Sequence, residues 1–116
     1  MRRSLPLVLT YHETQLDALG DATRRAILER LLRQPSAVGE LAEHFPVSRP
    51  AISQHLRVLK EARLVSSDAE GTRRVYRIDP RGFDELRRYF ERFWTGALTS
   101  FKKKAEERAR AERKRS

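Results

Sequence analysis

Polar side chains that can hydrogen-bond to nucleic-acid bases recur along the stretch SRPAISQHLRVLKEARLV, residues 48–65. At helical spacing Ile52, Leu56 and Leu59 form one apolar stripe, and the opposite side carries only polar or basic groups. These groups are Arg49, Ser53, Gln54, Arg57 and Lys60. Arginine pairs with guanine, glutamine with adenine, and serine with several base edges or with phosphate. The spacing therefore predicts a helix whose outer face contacts DNA in the major groove.

The residues of this helix differ in the contact that we expect of them. The base-contact candidates are Ser53, Gln54 and Arg57, and the phosphate-contact candidates are Ser48, Arg49 and Lys60. Ser48 is first of all a helix cap, because its hydroxyl can accept a hydrogen bond from the first helical turn. His55 lies beside the apolar stripe, so a half-buried packing role is as good an interpretation as a DNA contact.

A basic β-hairpin is predicted directly after this helix, in LVSSDAEGTRRVYRID, residues 64–79. Gly71 can supply the positive φ of a tight turn. In the second strand Tyr76 and Ile78 share one face, while Arg73, Val75 and Arg77 share the other. The hairpin candidates for phosphate or minor-groove contacts are Gly71, Thr72, Arg73 and Arg74. Ordinary hairpin polarity is the alternative interpretation.

Several helices must position these groups. Residues 11–19 predict a short helix that Gly20 ends, and Asp21 caps a second helix, DATRRAILERLLR. Its expected apolar side is Ala22, Ala26, Ile27, Leu28, Leu31 and Leu32. Ser36 is expected to cap a third helix, AVGELAEHF, and about three residues join that helix to the cap at Ser48. Two short helices joined by so tight a turn predict a helix-turn-helix. Asp79 and Pro80 begin a final helix that runs beyond Ala105.

Charge and composition narrow the choice of function. The 116-residue chain has a net charge of +9; residues 48–77 hold seven basic and three acidic side chains, and residues 102–116 hold eight and three. A basic folded surface is typical of proteins that bind polyanions, whereas a basic tail is also compatible with a solvated helix end. We therefore expect a DNA-binding and dimerisation domain over residues 1–101 and a basic helical or disordered tail over 102–116.

Other functional classes lack their characteristic residues. The chain has no cysteine, which removes disulfides and thiolate metal ligands. No nucleophile–base set or phosphate-cradling glycine loop is recognisable, so we expect no enzyme. The apolar run Leu5–Leu9 is shorter than a secretory signal needs, and no segment is long enough to span a membrane, so we expect a cytoplasmic protein. The alternative to a sequence-specific DNA-binding regulator is a sequence-independent architectural or RNA-binding winged-helix protein.

The runs LDALGDATRRAILERLL, AVGELAEHFPVSRPAISQHLRVLKEARLV and EGTRRVYRIDP together resemble the ArsR family of bacterial winged helix-turn-helix repressors. The resemblance covers roughly residues 16–94. It implies a mainly α fold with a small β-hairpin wing, and a homodimer formed by the first and last helices. Each subunit would place its recognition helix, which corresponds to residues 48–61, and its wing on double-stranded DNA. It also implies repression that an inducer relieves.

The chain departs from the metal-sensing branch of this family. Metal-responsive members carry cysteines in the third helix or Asp/His sets on the last one. Here the third helix has Glu40, Leu41, Ala42 and Glu43, and the histidines His12, His44 and His55 all precede the last helix. We therefore interpret the protein as a member that does not sense metal, and expect no cofactor.

Aromatic and aliphatic residues recur at three- and four-residue steps along the last helix, which is typical of an interface. The predicted dimer-interface residues are Tyr11, Leu16, Leu86, Phe90, Phe93, Trp94, Leu98 and Phe101. A two-fold dimer would hold two recognition helices about 34 Å apart and would match a palindromic operator. Two alternatives are a band that covers the core of a monomer, and a hydrophobic effector pocket around Tyr89, Phe93 and Trp94.

Overall fold

The computed structural model describes residues 11–115, with the side chain of Tyr11 left out; residues 1–10 and Ser116 lie outside the described part. The elements, in chain order, are α1 (Tyr11–Leu19), α2 (Ala22–Arg33), β1 (Ser36–Ala37), α3 (Val38–Ala42), α4 (Arg49–Glu61), β2 (Val65–Glu70), β3 (Arg73–Ile78) and α5 (Pro80–Arg115). The chain divides after Leu86 into two compact units. The first unit contains every element up to the start of α5.

The predicted caps of α2 and α4 are confirmed. The Asp21 carboxylate accepts a 3.0 Å hydrogen bond from the Arg24 N–H, and the Ser48 hydroxyl accepts one of 3.2 Å from Ala51. Both caps satisfy backbone donors that have no partner within the helix. The Arg24 side chain donates to the Ala18 carbonyl at 2.7 Å and so links α2 to the end of α1.

The predicted cap at Ser36 is wrong. Ser36 lies in β1, where it pairs with Tyr76 of β3, and its buried hydroxyl donates to the Gln34 carbonyl at 3.0 Å. Ala37 precedes α3 instead, and its N–H donates to the Glu40 carboxylate at 2.8 Å. Strand pairing satisfies the backbone of residues 36 and 37, so the helix starts at Val38. It ends at Ala42, three residues before the predicted end, and has five residues.

The sheet has three antiparallel strands in the order β1-β3-β2, rather than the two that the hairpin alone predicts. The hairpin itself is confirmed: β2 pairs with β3 from Val65↔Ile78 to Glu70↔Arg73, and Gly71 has φ +66°. A positive φ at this turn is the reason for a glycine there. We call the hairpin formed by residues 65–78 the wing.

The hydrophobic core of the first unit lies between α1, α2, α3, α4 and the start of β2. Its buried members are Ala18, Ile27, Leu28, Leu31, Leu41, Ile52, Leu56, Leu59, Ala62, Leu64 and Val65. The predicted stripe Ile52, Leu56 and Leu59 is confirmed, with 0% exposure at each residue. Ala22 and Leu32 were expected on the apolar side of α2 but are exposed, Leu32 by 72%. Leu32 lies about 90° around the helix from the centre of the buried stripe, which explains its exposure.

The end of α4 is fixed against the first turns of α5. The chain leaves α4 through Arg63 at φ +63°, with hydrogen bonds from the Leu64 N–H to Leu59 and from the Arg63 N–H to Lys60, both 3.0 Å. This is the Schellman arrangement, here without glycine. Gly82 lies so close that an added Cβ would be 1.8 Å from the Arg63 carbonyl oxygen. Only glycine fits at this contact.

The start of α5 has the predicted Asp79–Pro80 cap. Asp79 is 6% exposed, and its carboxylate accepts hydrogen bonds from both the backbone N–H and the guanidinium of Arg81, at 3.0–3.1 Å. The side-chain hydrogen bond from Arg81 holds the pKa of Asp79 below its ordinary value. The cap therefore acts as a carboxylate at neutral pH.

The second unit, as far as it is described, is a single helix. Residues 87–115 continue α5 without a break, and nearly all of their side chains are exposed. Within the described residues, no helix has the length and apolarity required to cross a membrane.

Candidate nucleic-acid interface

The outer face of α4 consists of exposed polar side chains. Ser53, Gln54, Arg57 and Lys60 are all exposed, while the opposite stripe of the same helix is fully buried. The Arg57 guanidinium donates to the Gln54 side-chain carbonyl. This contact leaves the Gln54 amide N–H groups and the other Arg57 donors free. These donors can form hydrogen bonds to base edges in the major groove.

At the start of α4, Ser48 and Arg49 are exposed, but each has a structural task. Ser48 is the cap, and Arg49 lies over α3, where an added Cβ at Gly39 would be 2.9 Å from the Arg49 guanidinium. Gly39 therefore leaves the space that Arg49 occupies. Both residues border the predicted phosphate-contact region at the N-terminus of α4, where oriented N–H groups favour anions.

His55 faces the protein more than the solvent. It is half-buried, and its Nδ1 atom is buried without a hydrogen-bond partner among residues 11–115. The pKa of Asp21 is lowered first by the hydrogen bond from the Arg24 N–H and also by the nearby charge of His55. His55 thus packs toward the start of α2, which favours the packing interpretation over a DNA contact.

The wing divides its arginines between two environments. Arg73 donates to the Glu40 carboxylate of α3 at 2.6 Å, and Arg77 bonds Asp68 at 3.2 Å and Glu70 at 3.1 Å within the hairpin. Arg74, on the opposite face of β3, donates to the Ser67 hydroxyl at 3.2 Å. The same hydroxyl accepts a 2.9 Å hydrogen bond from Lys60 of α4. Gly71 and Thr72 form the exposed tip of the wing.

Two side chains of this region, Glu40 and Ser67, were not among the predicted site residues. Glu40 is 33 residues before its ion-pair partner, and Ser67 is seven residues from both of its cationic neighbours. A possible signal for Ser67 was the strand alternation that puts residues 67 and 69 on the Arg74 face of the hairpin. No sequence signal pointed to Glu40.

The predicted interface residues of α5 form an exposed patch on the second unit, which we call the aromatic band. Its exposures are Phe90 49%, Phe93 59%, Trp94 66%, Leu98 49% and Phe101 74%. Tyr89 packs edge-on against Phe90 and Phe93, with ring centroids 5.7 and 5.2 Å apart. In the single chain, these side chains lie on the surface.

The other predicted interface residues have different environments. Leu86 is only 6% exposed and belongs to the first unit, so it packs inside the protomer and has little surface left for a partner. Leu16 on α1 is 36% exposed. Tyr11 begins α1, and its side chain lies outside the described residues. Within residues 11–115, no group of three or more His, Asp or Glu side chains is placed to hold a metal ion.

Comparisons with known proteins agree with these elements. Residues 21–67, from the cap of α2 into β2, match the sequence pattern described as bacterial regulatory protein, arsR family. The HTH-type transcriptional regulator Rv2034 of Mycobacterium tuberculosis is 63% identical over 84 residues, which are 72% of this chain and 78% of that protein. The transcriptional repressor SdpR of Bacillus subtilis is 44% identical over 54 residues, 47% of this chain and 60% of that protein.

A solved structure shares the fold. It is the solution structure of the homodimeric winged helix-turn-helix DNA-binding domain of Mb0332 from Mycobacterium bovis, a possible ArsR-family transcriptional regulator. It superposes with a TM-score of 0.59 at 29% identity, covering 75% of this chain and 78% of that one. The order of helices and wing, and the extent of the identity to Rv2034, show that this chain belongs to the arsR family of bacterial regulatory proteins.

Proposed function

We propose that the protein is a DNA-binding transcriptional repressor that binds a palindromic operator as a homodimer. The observation that carries the proposal is the outer face of α4, where Ser53, Gln54 and Arg57 are exposed on a helix whose other side is fixed in the core. A rigidly held helix with donors and acceptors at neighbouring positions has the shape and the chemistry of a major-groove reader.

Charge supports a polyanionic partner. The region that contains α4 and the wing has an excess of basic residues, and a basic surface attracts DNA by releasing its counterions. Both relatives support a role in transcription, and one of them, the transcriptional repressor SdpR, supports repression as the direction of control. A repressor of this kind acts on the bacterial chromosome and therefore in the cytoplasm.

The aromatic band supports the homodimer. Five large apolar side chains, each about half or more exposed, form a patch of the kind that marks a protein–protein contact. The related domain of Mb0332 is homodimeric. A two-fold dimer would present two copies of α4 to successive major grooves about 34 Å apart, which predicts an inverted repeat in the operator.

Selection of bound sequences from a pool of random duplexes tests this function. We expect an inverted repeat whose half-sites are about one helical turn apart. On the selected duplex, Gln54→Ala should weaken binding by about 1–3 kcal/mol and relax the preference at one base pair in each half-site. Gln34→Ala, an exposed glutamine at the end of α2, is the matched control and should bind as the parent does.

Two results would contradict the proposal. Recovery of no common sequence, with equal affinity for all duplexes, would favour the sequence-independent nucleic-acid-binding alternative. A Gln54→Ala variant with unchanged affinity and preference would remove the base-contact role of the outer face of α4.

A further inference from the structure

Two cationic side chains from different elements converge on one hydroxyl group. Lys60 Nζ, in the last turn of α4, and Arg74 Nη1, in β3, donate to the Ser67 oxygen at 2.9 and 3.2 Å. Because both hydrogen bonds end on the same atom, the two nitrogens lie within about 6 Å of each other, a separation at which like charges repel. An anion placed between them would relieve this repulsion.

No carboxylate performs this task in the described part of the chain. Over residues 11–115, neither Lys60 nor Arg74 takes part in an ion pair with Asp or Glu. The Ser67 oxygen accepts both hydrogen bonds, so its own proton remains available for donation. The cluster therefore offers an ammonium, a guanidinium and a hydroxyl donor to the same small region of surface.

The other two arginines of β3 are already neutralised. Arg73 is bonded to Glu40, and Arg77 to Asp68 and Glu70. Side chains alternate along a strand, so Arg73 and Arg77 project from one face of the wing and Arg74 from the other. Adjacent basic residues that look equivalent in the sequence thus have different electrostatic surroundings.

We propose that Lys60, Ser67 and Arg74 bind one backbone phosphate of duplex DNA at the junction of α4 and the wing. Arg73, by contrast, is a positioning residue that holds the wing on α3 through Glu40. This inference rests on the proposed function and specifies which groups of the same surface contact the phosphate. The sequence alone predicts the same DNA-contact role for Arg73 and Arg74, whereas this inference gives them different roles.

The position of the cluster fits a phosphate better than a base. Lys60 lies three residues beyond Arg57, hence on the same face of α4 one turn farther along. The sugar-phosphate backbone of DNA borders each groove. A cation cluster beside the base-contact face of α4 therefore meets the phosphates at the edge of the groove. Three donors without an acceptor match phosphate oxygens, which only accept hydrogen bonds.

The salt dependence of affinity tests the proposal, with the full chain and its selected duplex. Arg74→Gln and Lys60→Gln should each reduce the slope of log affinity against log salt concentration by up to about 1, because both cations neutralise the same phosphate. Arg73→Gln and Arg77→Gln remove the same charge from the same strand and are the matched controls. Their slopes should equal that of the parent protein, and Arg73→Gln should lower affinity by a constant factor at every salt concentration.

A second measurement identifies the phosphate. Each backbone phosphate of the duplex is replaced in turn by an uncharged methylphosphonate. At one position in each half-site the replacement should weaken binding of the parent protein, and it should weaken binding of Arg74→Gln or Lys60→Gln less, because part of the contact is already absent. Arg73→Gln should still lose the full amount at that position.

The outcomes separate this inference from the proposed function. The phosphate site would be overturned by equal reductions of the slope in Arg73→Gln and Arg74→Gln, or by the absence of a phosphate coupled to both Lys60 and Arg74. In either case, selective binding by the parent protein would still uphold the proposed function. A parent protein that binds no duplex would overturn both.

Discussion

Helices α4 and α5 are both amphipathic, but they leave opposite sides uncovered. The apolar stripe of α4 is fully buried in the first unit, and its exposed side is polar and basic. Along residues 87–115 of α5 the apolar side chains are themselves exposed, Trp94 by 66% and Phe101 by 74%. An uncovered polar face suits a hydrated, charged partner such as DNA. An uncovered aromatic face is unfavourable in water, and contact with another apolar surface lowers the free energy.

The change with the largest expected effect is Trp94→Ala, which removes the aromatic band's largest side chain. If a second copy covers the band, the dissociation constant of the dimer should rise at least about 30-fold, equivalent to about 2 kcal/mol, because buried aromatic residues dominate such interfaces. Sedimentation over a range of protein concentrations measures this change.

Leu32→Ala is the control for Trp94→Ala. Leu32 is exposed by 72% but lies on α2 in the first unit, so the variant should keep the parent's association state. An unchanged dimer in Trp94→Ala would place the interface on another surface and break the contrast between the two helices.

Two glycines of α5 sharpen the comparison within one helix. In Gly82→Ala the new Cβ would meet the Arg63 backbone, and the free energy of unfolding should fall by about 1–3 kcal/mol. In Gly96→Ala nothing lies within 4 Å of the new Cβ. That variant should gain up to about 1 kcal/mol, because alanine favours the helix more than glycine does.

Urea denaturation of both glycine variants measures these changes. A loss of stability in Gly96→Ala would mean that the assembled protein covers this side of α5 as well. Equal stability in Gly82→Ala and the parent would mean that the end of α4 can move away from α5 without cost.

The smallest expected effects concern the caps of the two helices. Ser48→Ala and Asp79→Ala should each lower the free energy of unfolding by about 1 kcal/mol at neutral pH. Since the pKa of Asp79 is depressed in the folded protein, its contribution is complete above the unfolded value of about 3.9 and is lost as the pH falls through the lower, folded value. The deficit of Asp79→Ala, meaning its loss of unfolding free energy relative to the parent protein, should therefore become smaller at acidic pH.

The deficit of Ser48→Ala should stay constant over the same pH range, since a hydroxyl does not titrate there. Urea denaturation at about pH 7 and about pH 3 distinguishes the two variants. A deficit of Asp79→Ala that does not depend on pH would show that its carboxylate contributes through neutral hydrogen bonds alone.

The amino-acid sequence by itself determined the features that depend on neighbouring residues. The caps at Asp21, Ser48 and Asp79, the buried stripe of α4 and the turn at Gly71 are all confirmed by the structure. Each of them follows from hydrogen bonds or side-chain spacing within a few residues of the chain. The polar outer face of α4 was visible for the same reason.

Only the tertiary structure decided the features that join distant residues. Ser36 reads as a helix cap until Tyr76, 40 positions later, pairs with it in the sheet. A two-residue strand is too short to show a period, so local pattern could not reveal it. Likewise Arg73 and Arg74 are adjacent basic residues, and they differ because Glu40 meets one of them and Lys60 approaches the other. Such pairings depend on where the folded chain brings side chains together, and residue spacing carries no information about that.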